Sequence, residues 1–185
     1  MKKCLYLIFC LMFSGCFSTP NSNFYMLQTT ADKVVSNQKL QLQIFDVLVP
    51  EYIDKPQIVL QKTNSPELKI SEFNRWATDL NTMIKSTIIN DLSVYLPNAK
   101  ILPLAYGTNA QYVVKIQIEQ LSGWLKDKAV LKANWQILNA KGKVLYTKTS
   151  MFEEQAGTSY ATYVTAQSKM LSDLAVLIAD KISSM

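Results

Sequence analysis

The side chains in this sequence best suited to chemistry are few: Cys16, the Arg75-Trp76 pair, and the adjacent carboxylates Glu153-Glu154. The chain has no histidine, which removes the commonest general base and the commonest metal ligand together. Of its three cysteines, Cys4 and Cys10 fall in an apolar leader, so the body of the chain keeps only Cys16. Zinc, iron–sulfur and Cys–His chemistry therefore lack a ligand set. No GxGxxG, phosphate loop or GxSxG motif is present. Paired carboxylates are what remains, and neighbours on a strand point to opposite faces. Glu153-Glu154 is accordingly a solvated strand end, and the sequence describes a non-enzyme without catalytic, cofactor-binding or metal-binding residues.

Cys16 has a different chemistry open to it. Met1-Lys2-Lys3 precede an uncharged apolar run over residues 4–13, and Ser14-Gly15 separate that run from the cysteine. A membrane-crossing helix needs roughly 20 apolar residues, so a run of half that length with a basic front is an export signal. Phe13-Ser14-Gly15-Cys16 resembles the lipobox of bacterial lipoproteins, with Phe13 where Leu is usual. There the small pair lets the signal peptidase approach the backbone, and the cysteine thiolate accepts diacylglycerol. The resemblance implies that residues 1–15 are removed and that Cys16 carries S-diacylglycerol and an N-acyl group, with no other cofactor. The alternative is an ordinary secretory signal followed by a chance cysteine. One acyl chain gives only marginal attachment and two signals give stable anchoring, so the three chains implied here make release negligible. Ser18 rather than Asp stands second after the cysteine, which by the same resemblance points to the periplasmic face of the outer membrane.

The elements that must position Arg75 and Trp76 follow from periodicity. Residues 16–23 are polar and turn-rich after the cysteine and form a lipidated tether; residues 24–185 form one domain, long enough for a full core. Loss of Lys2 and Lys3 lowers the net charge from +5 to +3, and the lysines are dispersed, so the basic balance is a solvated surface rather than a nucleic-acid site. With no cysteine pair in the body, stability has to come from apolar packing. Phe24–Leu27, Leu40–Ile44, Ile58–Leu60 and Leu68–Ile70 are short candidate strands. Leu80, Ile84, Ile88, Leu92 and Leu96 recur every four residues, a helix opened by Asp79 and ended by Pro97. Alternation over 112–119 and 129–137, a turn at Asn139–Gly142, and Val144–Tyr146 predict an antiparallel meander. A second amphipathic helix runs from about Ser159 to Ser183. Neither helix buries its stripe alone, so the expected fold is α+β: a single domain with a mixed or largely antiparallel sheet and both helices packed on one face.

Two segments carry a further resemblance. Tyr52-Ile53-Asp54-Lys55-Pro56-Gln57-Ile58-Val59 and Phe73-Asn74-Arg75-Trp76-Ala77-Thr78-Asp79-Leu80, together with the lipobox, resemble the ABC-type transport auxiliary lipoproteins. Lys55 stands where Arg is frequent in that family. The resemblance implies a non-catalytic accessory lipoprotein of an envelope ABC/MCE-type transport system, moving phospholipid or other hydrophobic molecules between two membranes. Its partners would be MCE-domain periplasmic or inner-membrane proteins, received at the outer membrane, and a homo-oligomer is compatible with it. A periplasmic lipid-binding carrier and a structural envelope lipoprotein remain as alternatives.

Tyr52, Pro56, Gln57, Arg75 and Trp76 are the candidate partner-binding or structural residues. Arg75 is the one arginine among nineteen basic residues, which suggests a site that needs its planar fork. The residues themselves leave several roles open for it. It could pair with Asp54 or Glu72, cap carbonyls, stack on an aromatic ring, clamp the strand near Ile58 to the helix start, or face a partner or lipid.

Overall fold

The computed structural model describes residues 20–62, 64–102 and 110–185, so Cys16 and the leader lie outside the described residues. In chain order the elements are β1 (Asn23–Tyr25), β2 (Gln41–Ile44), β3 (Gln57–Gln61), β4 (Leu68–Trp76), α1 (Leu80–Tyr95), β5 (Lys100–Leu102), β6 (Tyr112–Gly123), β7 (Lys128–Asn139), β8 (Val144–Gln155) and α2 (Tyr160–Ser183). The predicted α+β domain with mixed strand pairing and two helices is what forms. Its strands divide between two sheets, a five-stranded one ordered β5-β2-β6-β7-β8 and a three-stranded one ordered β1-β4-β3. The division has a simple cause. Both edges of β2 are taken by parallel partners, β5 and β6, which leaves β3 and β4 to pair with each other and with β1.

The alternation of β6 and β7 fixes which face of the large sheet is buried. Val114, Ile116 and Ile118 turn inward beside Ala129, Leu131, Ala133, Trp135 and Ile137, all buried. Their neighbours Lys115, Gln117, Asn134 and Gln136 turn outward, as period-two alternation requires. Gly142, at φ +77°, closes the tight β7–β8 turn in a backbone region open to glycine at little cost. Gly123 ends β6 where a Cβ would sit 2.6 Å from the Lys128 carbonyl oxygen, so the strand can turn there only without a side chain.

The helices complete the core. α2 packs on β7 and β8, and α1 packs along α2. Leu80, Ile84, Ile88, Leu92 and Leu96, the predicted stripe of α1, are buried together. Asp79 occupies the cap position but its side chain makes no capping bond; the first turn is closed by the Met83 amide donating to the Asp79 carbonyl at 3.0 Å. α2 opens with a reciprocal cap, the Thr162 amide donating to Ser159 Oγ at 3.2 Å and the Ser159 amide to Thr162 Oγ1 at 3.0 Å. Such pairs satisfy two of the donors that a helix start leaves open. One apolar cluster runs through both sheets and both helices. No described helix is long and apolar enough to cross a membrane.

Candidate functional site

The two segments singled out in the sequence are adjacent strands. Gln57, the first residue of β3, lies in register with Arg75 of β4. The Trp76 amide donates to the Pro56 carbonyl at 2.8 Å, and the Ala77 amide to the Tyr25 carbonyl at 2.9 Å. On the other edge of β4, Phe24 and Tyr25 are in register with Arg75 and Trp76. The backbone therefore ties three distant stretches of chain together just before α1 begins.

Facing the core, Trp76 is 5% exposed beside Tyr25, whose hydroxyl donates to Asn74 Oδ1 at 2.9 Å. Asn74 Nδ2 in turn donates to Ser71 Oγ at 2.9 Å. Tyr52 is half-buried, and burial pushes its hydroxyl above the usual range, partly opposed by a hydrogen bond with the Leu121 backbone. Pro56 is exposed and contributes its carbonyl.

The opposite face of this sheet is where Arg75 and Gln57 point. Register partners share a face, so Phe24, Arg75 and Gln57 form one cross-strand row. Beyond a register shift between Gln57 and Val59, Val59 pairs with Ile70 and Gln61 with Leu68 farther along the hairpin. Phe24 is 66% exposed, Met26 59%, Ile70 51% and Leu68 43%, whereas Val59 beside Ile70 is buried. Arg75 is half-buried, and its Nε donates to the Glu72 backbone carbonyl at 3.4 Å. Among the described residues it forms no ion pair, so the carbonyl cap is the role the structure shows and pairing with Asp54 or Glu72 carboxylates is not. Phe24 and Met26 are the residues that sequence reasoning passed over, having counted both only as part of a short first strand. The signal was present, because residues 24–27 are apolar at both parities and one set had to face outward.

Several other titratable groups have structural work. Glu153 pairs with Lys128 at 2.7 Å and Glu154 with Lys169, so the two carboxylates are engaged by different cations. Asp91 is fully buried and its Oδ1 accepts from the Thr30 and Ala31 amides at 3.0 and 3.1 Å. Burial raises its carboxyl above the usual range, while those two amides and the nearby Ser172 hydroxyl oppose the shift. The same Ser172 Oγ lies 2.6 Å from the Tyr95 hydroxyl, so α1, α2 and the loop after β1 meet at one buried polar knot. Among the described residues no group of three or more acidic, histidine or cysteine side chains is placed to hold a metal.

This arrangement defines an α+β domain whose exposed chemistry is a surface rather than a pocket of reactive groups. The fold has solved counterparts. A crystal structure of an uncharacterized protein superposes with TM-score 0.74 at 18% identity, covering 88% of this chain and 99% of that one. A Xanthomonas campestris protein superposes with TM-score 0.71 at 15% identity, covering 87% and 94%. Residues 25–179 match the family described as ABC-type transport auxiliary lipoprotein component, and the chain belongs to that family. It is 27% identical over 186 residues, 98% of each chain, to the intermembrane transport lipoprotein PqiC of Escherichia coli (strain K12), and equally to its Shigella flexneri namesake.

Proposed function

We propose that this chain is a non-catalytic, membrane-anchored accessory lipoprotein of an envelope lipid-transport system of the ABC and MCE type. In this reading Cys16 bears the acyl chains, the domain stands at the periplasmic face of the outer membrane, and it docks a periplasmic MCE-type partner there. The observation that carries the reading is the family match over nearly the whole domain, joined by full-length similarity to proteins named for intermembrane transport. The residues are consistent with it: acidic pairs are consumed by lysines, and apolar side chains are displayed beside Arg75. A carrier would need a lipid-sized cavity between helix and sheet. That layer is filled by Trp135, Tyr163, Leu171, Leu174 and Ile178, each 0% exposed, which favours docking over carriage.

Replacing the acylated residue separates anchor from domain. Cys16→Ala is expected to leave the domain folded and to move it from the membrane to the soluble periplasmic fraction. Retention of the variant in washed membranes would contradict the anchor.

A further inference from the structure

We infer that the β1 edge of the three-stranded sheet, where Phe24 and the following Met26 are exposed, lies against the phospholipid surface to which the chain is anchored. The inference rests on acylation at Cys16 and adds to it a second, non-covalent contact with a defined orientation.

Tether length is the first argument. Seven residues separate Cys16 from Phe24, and the eight Cα steps between them reach about 28 Å when fully extended and about 16 Å as a flexible chain. A domain of this size has a radius of gyration of about 15 Å, hence a diameter of about 40 Å. The tether is therefore too short for the domain to turn its far side to the bilayer, and β1 is the element held nearest.

The chemistry of that nearest element is the second argument. A monomeric soluble surface scatters its exposed apolar residues singly. Here Phe24 and Met26, 66% and 59% exposed, stand two residues apart at the tether end, and Ile70 and Leu68, 51% and 43% exposed, lie farther along β4 of the same small sheet. An aromatic ring, a flexible thioether and two aliphatic chains suit the boundary between headgroups and acyl chains. Arg75 stands in the same row as Phe24. It spends its Nε on the Glu72 carbonyl, leaving the rest of its fork to reach a lipid phosphate while its stem lies along the apolar surface. Asp54 and Glu72 are exposed nearby, so apolar insertion, with charge in a minor part, drives the contact.

Because the body beyond Cys16 has no other cysteine, single labels report on each face. The full-length acylated protein is reconstituted into vesicles of phosphatidylethanolamine and phosphatidylglycerol, with a fluorophore on Phe24→Cys, on Met26→Cys or on Val144→Cys. Tyr25 lies 6.3 Å from Tyr160, just beyond the end of β8, whereas Val144 opens that strand about 36 Å away along it. Labels at 24 and 26 are expected to be quenched several-fold more by brominated acyl chains than by aqueous iodide, and the label at 144 the reverse. If the protein floats with vesicles but label 24 meets iodide as freely as label 144, the anchor stands and this contact is wrong. Shielding of label 24 from both quenchers assigns the face to a second copy of the chain and also overturns the inference. Failure to float removes the anchor and this contact together.

Discussion

The large and small sheets treat their outward faces differently. Outside the large sheet, Lys132 pairs with Glu119 at 2.6 Å, Asn134 donates to the same carboxylate, and Thr149 donates to Asn134. That stretch is a ladder of polar groups bonded to one another, although Met151, in register with Lys132, and Leu48, bridged to Gln117, are 58% and 62% exposed on the same side. Outside the small sheet, Phe24 is displayed in register with the chain's one arginine, and Ile70 and Leu68 are exposed farther along β4. Both sheets contribute their inner faces to one core, so the contrast does not come from the need to fold. A polar outward face is finished by solvent; an apolar one is finished by another surface. The β1 end of the small sheet, where Phe24 and Met26 are exposed next to the tether, is therefore the surface proposed for contact.

The comparison is broken most easily through stability. Trp135 is 0% exposed, its Nε1 donates to Ser150 Oγ at 3.0 Å, and its ring lies 5.2 Å from that of Tyr146. Trp135→Ala is expected to cost about 3–5 kcal/mol in urea unfolding. Phe24→Ala, an aromatic truncation on the other sheet, should stay within about 0.5 kcal/mol of the parent. A comparable loss at both positions would mean that Phe24 belongs to the core and that the contrast is false.

Asp91 gives an intermediate effect with a pH signature. Asp91→Ala strands the Thr30 and Ala31 amides and should cost about 1–3 kcal/mol. Because burial raises the folded carboxyl, the native state keeps a proton that the unfolded chain has already released near its ordinary value of about 3.9. Its contribution is therefore fully present below that value and is lost as pH rises through the folded one. Against Asp91→Asn, the parent should gain relative stability on acidification from neutral pH, as read by thermal melts of both proteins. A pH-independent difference would show that the carboxyl titrates normally.

The smallest effect sharpens the contrast instead of breaking it. Arg75→Lys keeps the charge but not the fork, and loses one bond to an exposed backbone carbonyl. Its unfolding midpoint should shift by less than the equivalent of about 1 kcal/mol. A shift as large as that of Trp135→Ala would make Arg75 a structural clamp in place of a surface residue.

What was legible in the sequence is what periodicity reports. The α1 stripe, the capped α2 and the first two meander strands were visible because each repeats its pattern over many residues, whereas the third was read only as Val144–Tyr146 and runs on to Gln155. The segments around Pro56 and Arg75 were visible as motifs, and their adjacency followed once β3 and β4 paired as a hairpin. β5 was not, since Lys100–Leu102 is too short to show a period. Nor was the second sheet, because β1 joins β4 in parallel across a separation of 51 residues, and nothing local encodes such a pairing. Asp91 was counted within a helix pattern, and its use by a loop sixty residues away is likewise invisible until the chain folds. The exposure of Phe24 belongs to the same class, although the unbroken apolar run around it could have raised the question.

Native mass spectrometry of the full-length protein, extracted gently from membranes in detergent, tests the central claim most directly. The account predicts a chain beginning at Cys16, heavier by three acyl groups, in complex with a periplasmic MCE-type lipid-transport protein. An unmodified chain would contradict the anchor, and an acylated chain that never carries such a partner would contradict the docking role.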